Sequence, residues 1–276
     1  MAFQDARLVQ ILFLSTFLFL GFWTRDWTLR SQVIGVAIAA CLLTQFAVQR
    51  YREDQPFTPQ SFLSPLITSL GLSLLLRVDH CSTMALAGGA AILSKSVFQV
   101  GGKHVFNPAN FGIVMALLLT GDAWVSPGQW GEEGWYVVLF LATGGLVVGK
   151  VGRWDTTLAF LGMYAGLEAV RNVWLGWTWD VWAHRLMSGS LLMFALFMVT
   201  DPRSIPNART GRIIWAGAIA LLTFILRNYF FIPTAVFWAL FALAPLTILL
   251  DRLFPDDRFI WAQNSQTQDS QLEVSV

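Results

Sequence analysis

Charge is scarce in this chain. Only 13% of its 276 residues are Asp, Glu, Lys or Arg, about half the share of a soluble domain. The 18 basic and 17 acidic residues nearly cancel, to +1. No block of one sign stands out, so neither a nucleic-acid-binding surface nor an acidic solvating segment is expected. Cysteine is scarcer still. Cys41 and Cys81 are the only two and form no CxxC pair, which leaves no basis for a zinc site or a disulfide framework. Both sit in or beside apolar runs and read as buried, inert thiols. HExxH, P-loop and GxGxxG patterns are missing as well, and catalysis of the soluble type finds no support.

What remains is apolar. Hydrophobic residues make up 55% of the chain and the mean hydropathy is +0.58, the composition of a polytopic membrane protein. Ten apolar stretches can be drawn, at 8–22, 32–48, 62–76, 83–100, 106–120, 135–149, 157–173, 186–200, 213–226 and 231–250. Several fall short of the about 20 residues that a full crossing needs, so some are expected to be half-spanning. The first follows Arg7, lacks a small-x-small cleavage pattern and reads as a retained span. The fold expected is all-α, with about ten transmembrane or half-spanning helices in one membrane domain over 1–261. Residues 262–276 form a polar tail, expected to be disordered.

Basic residues set the orientation. With the N-terminus inside, Arg7, Arg50, Arg52, Lys95, Lys103, Lys150, Arg153, Arg203, Arg209, Arg212, Arg252 and Arg258 fall on the inner side, and Arg25, Arg30, Arg77, Arg171, Arg185 and Arg227 on the outer. That excess favours both termini on the cytoplasmic face. Trp23, Trp27, Trp124, Trp130, Trp135, Trp174, Trp177, Trp179 and Trp182 gather at the outer loops as an interfacial belt. The chain also echoes itself: Phe106-Asn107-Pro108-Ala109 opens the fifth stretch and Phe231-Ile232-Pro233-Thr234 the tenth. Repeats over about 8–125 and 130–250, each of five helices, would run in opposite directions through the bilayer, a plan that places the binding site at the repeat interface.

Two polar interruptions carry the functional reading. The first runs from Gly101-Gly102-Lys103-His104 to Asn107-Pro108-Ala109-Asn110. Irregular backbone at membrane depth is tolerated only when it is buried in protein or lines a cavity. Pro108 suits the first position of a helix, Asn107 suits its N-cap, and Lys103 and His104 add donors for an anionic ligand. The second interruption is Thr200-Asp201-Pro202-Arg203. An acid that ends an apolar run marks an ion or substrate route if it faces the interior, or a pair with Arg203 or Arg212 if it faces headgroup water. The candidate binding set is Gly101, Gly102, Lys103, His104, Asn107, Pro108, Asn110, Thr200 and Asp201. Glu168 and Arg171 are spaced to pair on one helix face, and Lys95 lies near enough to the end of its run to snorkel.

Together with Ser188-Gly189, Phe197-Met198-Val199-Thr200-Asp201-Pro202 and Gly211-Arg212, these landmarks resemble a family of membrane proteins. It contains the B-type subunit of the sodium-pumping NADH:quinone reductase and the D-type subunit of the Rnf electron-transport complex. The resemblance runs over roughly residues 60–250 and is nearest to a compact branch that includes membrane proteins associated with enediyne biosynthesis. It implies ten helices in two inverted repeats, a fold like that of urea transporters, a flavin mononucleotide, and complexes that move sodium ions or protons. One motif departs. Family members esterify flavin phosphate to the Thr of a Ser-Gly-Ala-Thr sequence, where this chain holds Asp155-Thr156-Thr157 and Ser126-Pro127-Gly128. Non-covalent flavin or quinone is therefore the cofactor expectation, in a bacterial inner membrane, with the lipid bilayer, other electron-transport subunits or a second copy as partners. A small-solute transporter and an accessory membrane protein of a biosynthetic pathway stay open as alternatives.

Overall fold

A computed structural model describes residues 5–25, 28–51, 58–126 and 134–259. The expected tail and the Trp27 and Trp130 belt positions lie outside them. The described chain is mainly helical. Helix α1 (Ala6–Leu20) continues into a π-helical turn, Gly21–Arg25. It is followed by α2 (Ser31–Tyr51), α3 (Leu63–Leu75), α4 (Cys81–Val97), α5 (Pro108–Leu119) and α6 (Gly134–Val151). Then come α7 (Trp154–Trp174), α8 (Trp179–Leu186), α9 (Gly189–Met193) with a π-helical extension Phe194–Met198, α10 (Arg209–Asn228), α11 (Ala235–Leu243) and α12 (Leu246–Leu253).

Each of the ten apolar stretches falls largely on helix. By length and hydropathy, however, only Ala6–Trp23, Ser31–Tyr51 and Arg209–Asn228 among the described residues could cross a membrane unaided. Two bent pairs, α8 with Gly189–Met198 at 52° and α11 with α12 at 50°, raise the number to five. The physical reason is short rise: α3 and α5, with 13 and 12 residues, extend only about 20 Å, against a hydrocarbon core of about 30 Å.

Two short strand pairs interrupt the mainly helical fold. Strand β1 (Leu76–Val78) pairs antiparallel with β4 (Ala123–Val125), Leu76 opposite Val125 and Val78 opposite Ala123. A small hairpin joins β2 (Gln99–Val100) to β3 (Lys103–His104). These pairs give hydrogen-bond partners to backbone that leaves the short helices early. The hairpin turn is Gly101-Gly102, with φ of 57° and 77°. A two-residue turn with both central φ values positive suits glycine.

Small residues let the helices approach. Helix α4 lies between α2 and α5, and a Cβ on Gly112 of α5 would fall 2.5 Å from the Ala87 carbonyl oxygen of α4. Close backbone approach of this kind is what small-residue faces allow between membrane helices. In the second half α10 packs against α7 and α11, and the halves touch through α5–α11 and α1–α6. Phe17 and Phe140, both fully enclosed, seal the α1–α6 contact with ring centroids 4.4 Å apart. Leu12, Phe19, Leu43, Phe46, Leu158 and Ile214 stay exposed on helix surfaces, as lipid-facing positions should. Cys41 is buried as expected, but Cys81 is exposed, because it opens α4 just after a loop.

Candidate functional site

Lys95 stands in the last turn of α4, where the chain leaves the helix for the Gly101-Gly102 hairpin. The chain re-enters helix at Asn107. Its side-chain oxygen accepts the Asn110 amide at 3.0 Å, capping α5, and Pro108 takes the first helical position. On the far side, the π-helical end of α9 stops at Val199, and Thr200-Asp201-Pro202-Arg203 turns away. The two interruptions meet here. Asn107 Nδ2 lies 3.4 Å from both the Met198 carbonyl oxygen and Asp201 Oδ2, and the Arg203 guanidinium donates to the Gly102 carbonyl at 3.4 Å. Asp201 also accepts from Ser204 Oγ at 3.1 Å and from the Arg203 amide at 3.2 Å.

Around this junction is a cavity of about 700 Å³. Its polar end is formed by Arg7, Gln49, Lys95, His104, Asn107 and Arg203, and its apolar part by Leu14, Ile67, Leu75, Val147 and Leu196. Ser64 and Leu75, near opposite ends of α3, both line it, so it runs about 16 Å along that helix at 1.5 Å per residue. Residues from the start of α1, the end of α2, the start of α3, the end of α4 and the end of α6 all line the cavity. These are the ends that the basic residues assigned to one side. The opposite ends carry the clusters His80–Asp122 and Glu168–Arg185.

Six of the nine candidate residues line this cavity: Gly102, His104, Asn107, Pro108, Thr200 and Asp201. Gly101, Lys103 and Asn110 do not. Gly101 forms the hairpin turn beside Arg258. Lys103 turns outward to α12, 2.5 Å from Asp251 and 3.3 Å from Asn207. Asn110 is buried and donates to the Phe237 carbonyl at 3.2 Å, joining α5 to α11. Thr200 lines the cavity while its hydroxyl returns to the Leu196 carbonyl at 2.7 Å.

Other pairings differ from the expected ones. Arg212 binds Asp155 at 2.6 Å, both buried, and so is not the partner of Asp201. Glu168 is met by Arg185 at 2.9 Å and Asn228 at 2.8 Å, not by Arg171, which stacks over Trp177 at 4.6 Å. Three or four residues of spacing permits a pair but does not compel it, and a bent helix delivers Arg185 to the same place. Lys95 does not snorkel to the surface. Only 7% exposed, it donates to Ser64 Oγ at 2.9 Å inside the cavity. Gln45 and Gln49, four apart in the apolar run of α2 and both lining the cavity, gave a readable signal, since that spacing puts two amides on one helix face.

Several known proteins are similar to this chain in sequence. The D-type subunit of the ion-translocating oxidoreductase complex of Halorhodospira halophila is 26% identical over 213 residues, covering 76% of this chain and 57% of that protein. Its counterpart in Stutzerimonas stutzeri is 32% identical over 130 residues, 46% of this chain and 36% of that protein. The D-type subunit of the proton-translocating ferredoxin:NAD(+) oxidoreductase complex of Clostridium ljungdahlii is 24% identical over 283 residues, 83% of each chain. The chain thus spans about half the length, or less, of the first two relatives. The profile of the NQR2, RnfD, RnfE family matches residues 118–259, just over half of the sequence and the whole of the second interruption, and the chain belongs to that family.

Proposed function

We propose that this chain is the membrane subunit of an ion-translocating electron-transport complex, and that its cavity holds a flavin or quinone without a covalent bond. One observation carries the reading: two polar interruptions from opposite halves of the chain bring Asn107 and Asp201 together at the wall of a deep, half-polar cavity. Its volume lies within the roughly 300–1,000 Å³ of small-molecule sites. Among the described residues, Gln49 Oε1 and His104 Nδ1 are enclosed there without a hydrogen-bond partner, and a bound ligand would supply one. When bound, the ring contributes one- and two-electron chemistry. The chain's own part is to enclose its apolar face, meet its polar edge and limit water. Covalent attachment is disfavoured because Thr156 and Thr157 are buried, with the Thr157 hydroxyl 2.8 Å from the Ala195 carbonyl.

Equivalent packing supports two repeats of opposite orientation. Helices α2, α4 and α5 contact in sequence as α7, α10 and α11 do, and both trios end at a proline-containing entry, Pro108 and Pro233. The polar end of the cavity would face the cytoplasm of a bacterial cell, with other membrane subunits as partners. A second reading, transport of a small solute, draws on the one-sided depth of the cavity. Purified protein separates the two. A flavin or quinone absorbance that is lost in Asn107→Ala and Asp201→Ala, at unchanged expression, supports the cofactor reading. A colourless preparation that still moves solute into liposomes defeats it.

A further inference from the structure

We propose that Lys95 and Arg203 form an anion site at the polar end of the cavity, which takes a phosphate joined to an apolar body. The inference rests on the cofactor reading of the same cavity and narrows it, since a quinone carries no such group. Lys95 is 7% exposed, and its ammonium uses one of three donors, on Ser64. Among the described residues neither Lys95 nor Arg203 has a carboxylate within 4.0 Å. Asp201 lines the same cavity but is engaged by Asn107, Ser204 and the Arg203 backbone amide. Arg7, the third cation there, is neutralised by Asp5 at 2.8 Å.

Lys95 and Arg203 share the cavity lining with one acid, Asp201, which leaves one positive charge in excess, and an anion between the two cations offsets it. Phosphate suits the arrangement because its several oxygens can accept from an ammonium and a guanidinium together. Gln49, 8% exposed, adds an unpartnered acceptor that a hydroxyl or N–H of the ligand would meet. Beyond it, Leu14, Ile67, Val147 and Leu196 offer an apolar berth. Head and body are therefore specified by different parts of one cavity.

Flavin mononucleotide and riboflavin differ only by a phosphate, so their binding to the purified full chain, read by quenching of flavin fluorescence, isolates the site. Flavin mononucleotide should bind roughly ten- to a hundredfold more tightly. Lys95→Met and Arg203→Gln should each remove that preference and leave riboflavin binding unchanged. Arg203 is exposed at the lip, so its variant keeps the test alive where Lys95→Met fails to fold. Equal binding of the two flavins, or a preference that survives Arg203→Gln, overturns the anion site and leaves the cofactor reading standing. Binding of neither flavin overturns flavin occupancy instead. In that event native mass spectrometry decides: phosphatidylglycerol retained by the wild type and lost from both variants supports the site with a lipid phosphate, and its absence rejects the site.

Discussion

Asp122 shows how much one side chain can fasten. Its carboxylate accepts from the Thr83 hydroxyl at 2.8 Å, the His80 amide at 2.9 Å and lies 3.0 Å from His80 Nδ1. It thereby fixes the start of α4 to the loop that leads into β4. The Thr83 bond first, then the His80 amide, hold the carboxyl well below the usual carboxylate range. A depressed folded-state pKa adds stability that is complete above the unfolded value, about 3.9, and fades as pH falls towards the folded value. Wild type should exceed Asp122→Asn in thermal stability at about pH 5, and the margin should shrink below about pH 4. Melting curves of both proteins across that range check the sign. At this scale Asn107 and Pro108 were legible, because a cap and a first-turn proline are local chemistry. Lys95 was not: hydropathy placed it near a helix end, and only the packing of α3 against α4 decides that its ammonium turns inward.

Elements were legible in position rather than in length or break. The apolar stretches mark where helices form, yet the bends between α8 and α9 and between α11 and α12, and the three-residue strands, depend on tertiary neighbours. The α7–α10 junction illustrates this. Asp155 opens α7 and Arg212 lies in the first turn of α10, joined by contacts of 2.6 and 3.1 Å with both side chains under 10% exposed. Asp155→Ala would leave the guanidinium without this partner and should destabilise the protein by about 3 kcal/mol. The double replacement Asp155→Leu with Arg212→Met should recover much of that loss, since well-packed apolar residues can replace a buried pair at little cost. Unfolding in detergent measures both. Neither residue lines the cavity, so ligand affinity of the protein that remains folded should not change. An affinity loss as large as the stability loss would instead tie this junction to the site.

The whole molecule has two unlike ends. One collects the cavity's polar mouth, the hairpin and α12; the other carries the paired strands, Asp122 and the exposed side chains of Trp124, Trp174, Trp177 and Trp179. Sequence made this polarity readable through the uneven distribution of lysine, arginine and tryptophan, which records partition between lipid, headgroup and water. It could not make the cavity readable, because no local pattern states which broken helices will face each other. The native cysteines turn the polarity into a test of the proposed orientation. Cys81 is exposed at the tryptophan-rich end, and Cys41 is fully buried. A membrane-impermeant maleimide should label the wild type in cells whose inner membrane is intact, and Cys81→Ser should abolish that labelling. Placed in the Cys81→Ser background, Arg252→Cys on the exposed surface of α12 should react only after the membrane is opened. The reverse pattern would put the cavity mouth on the outer side, and with it the phosphate-selective end, away from the cytoplasm from which a soluble flavin would enter.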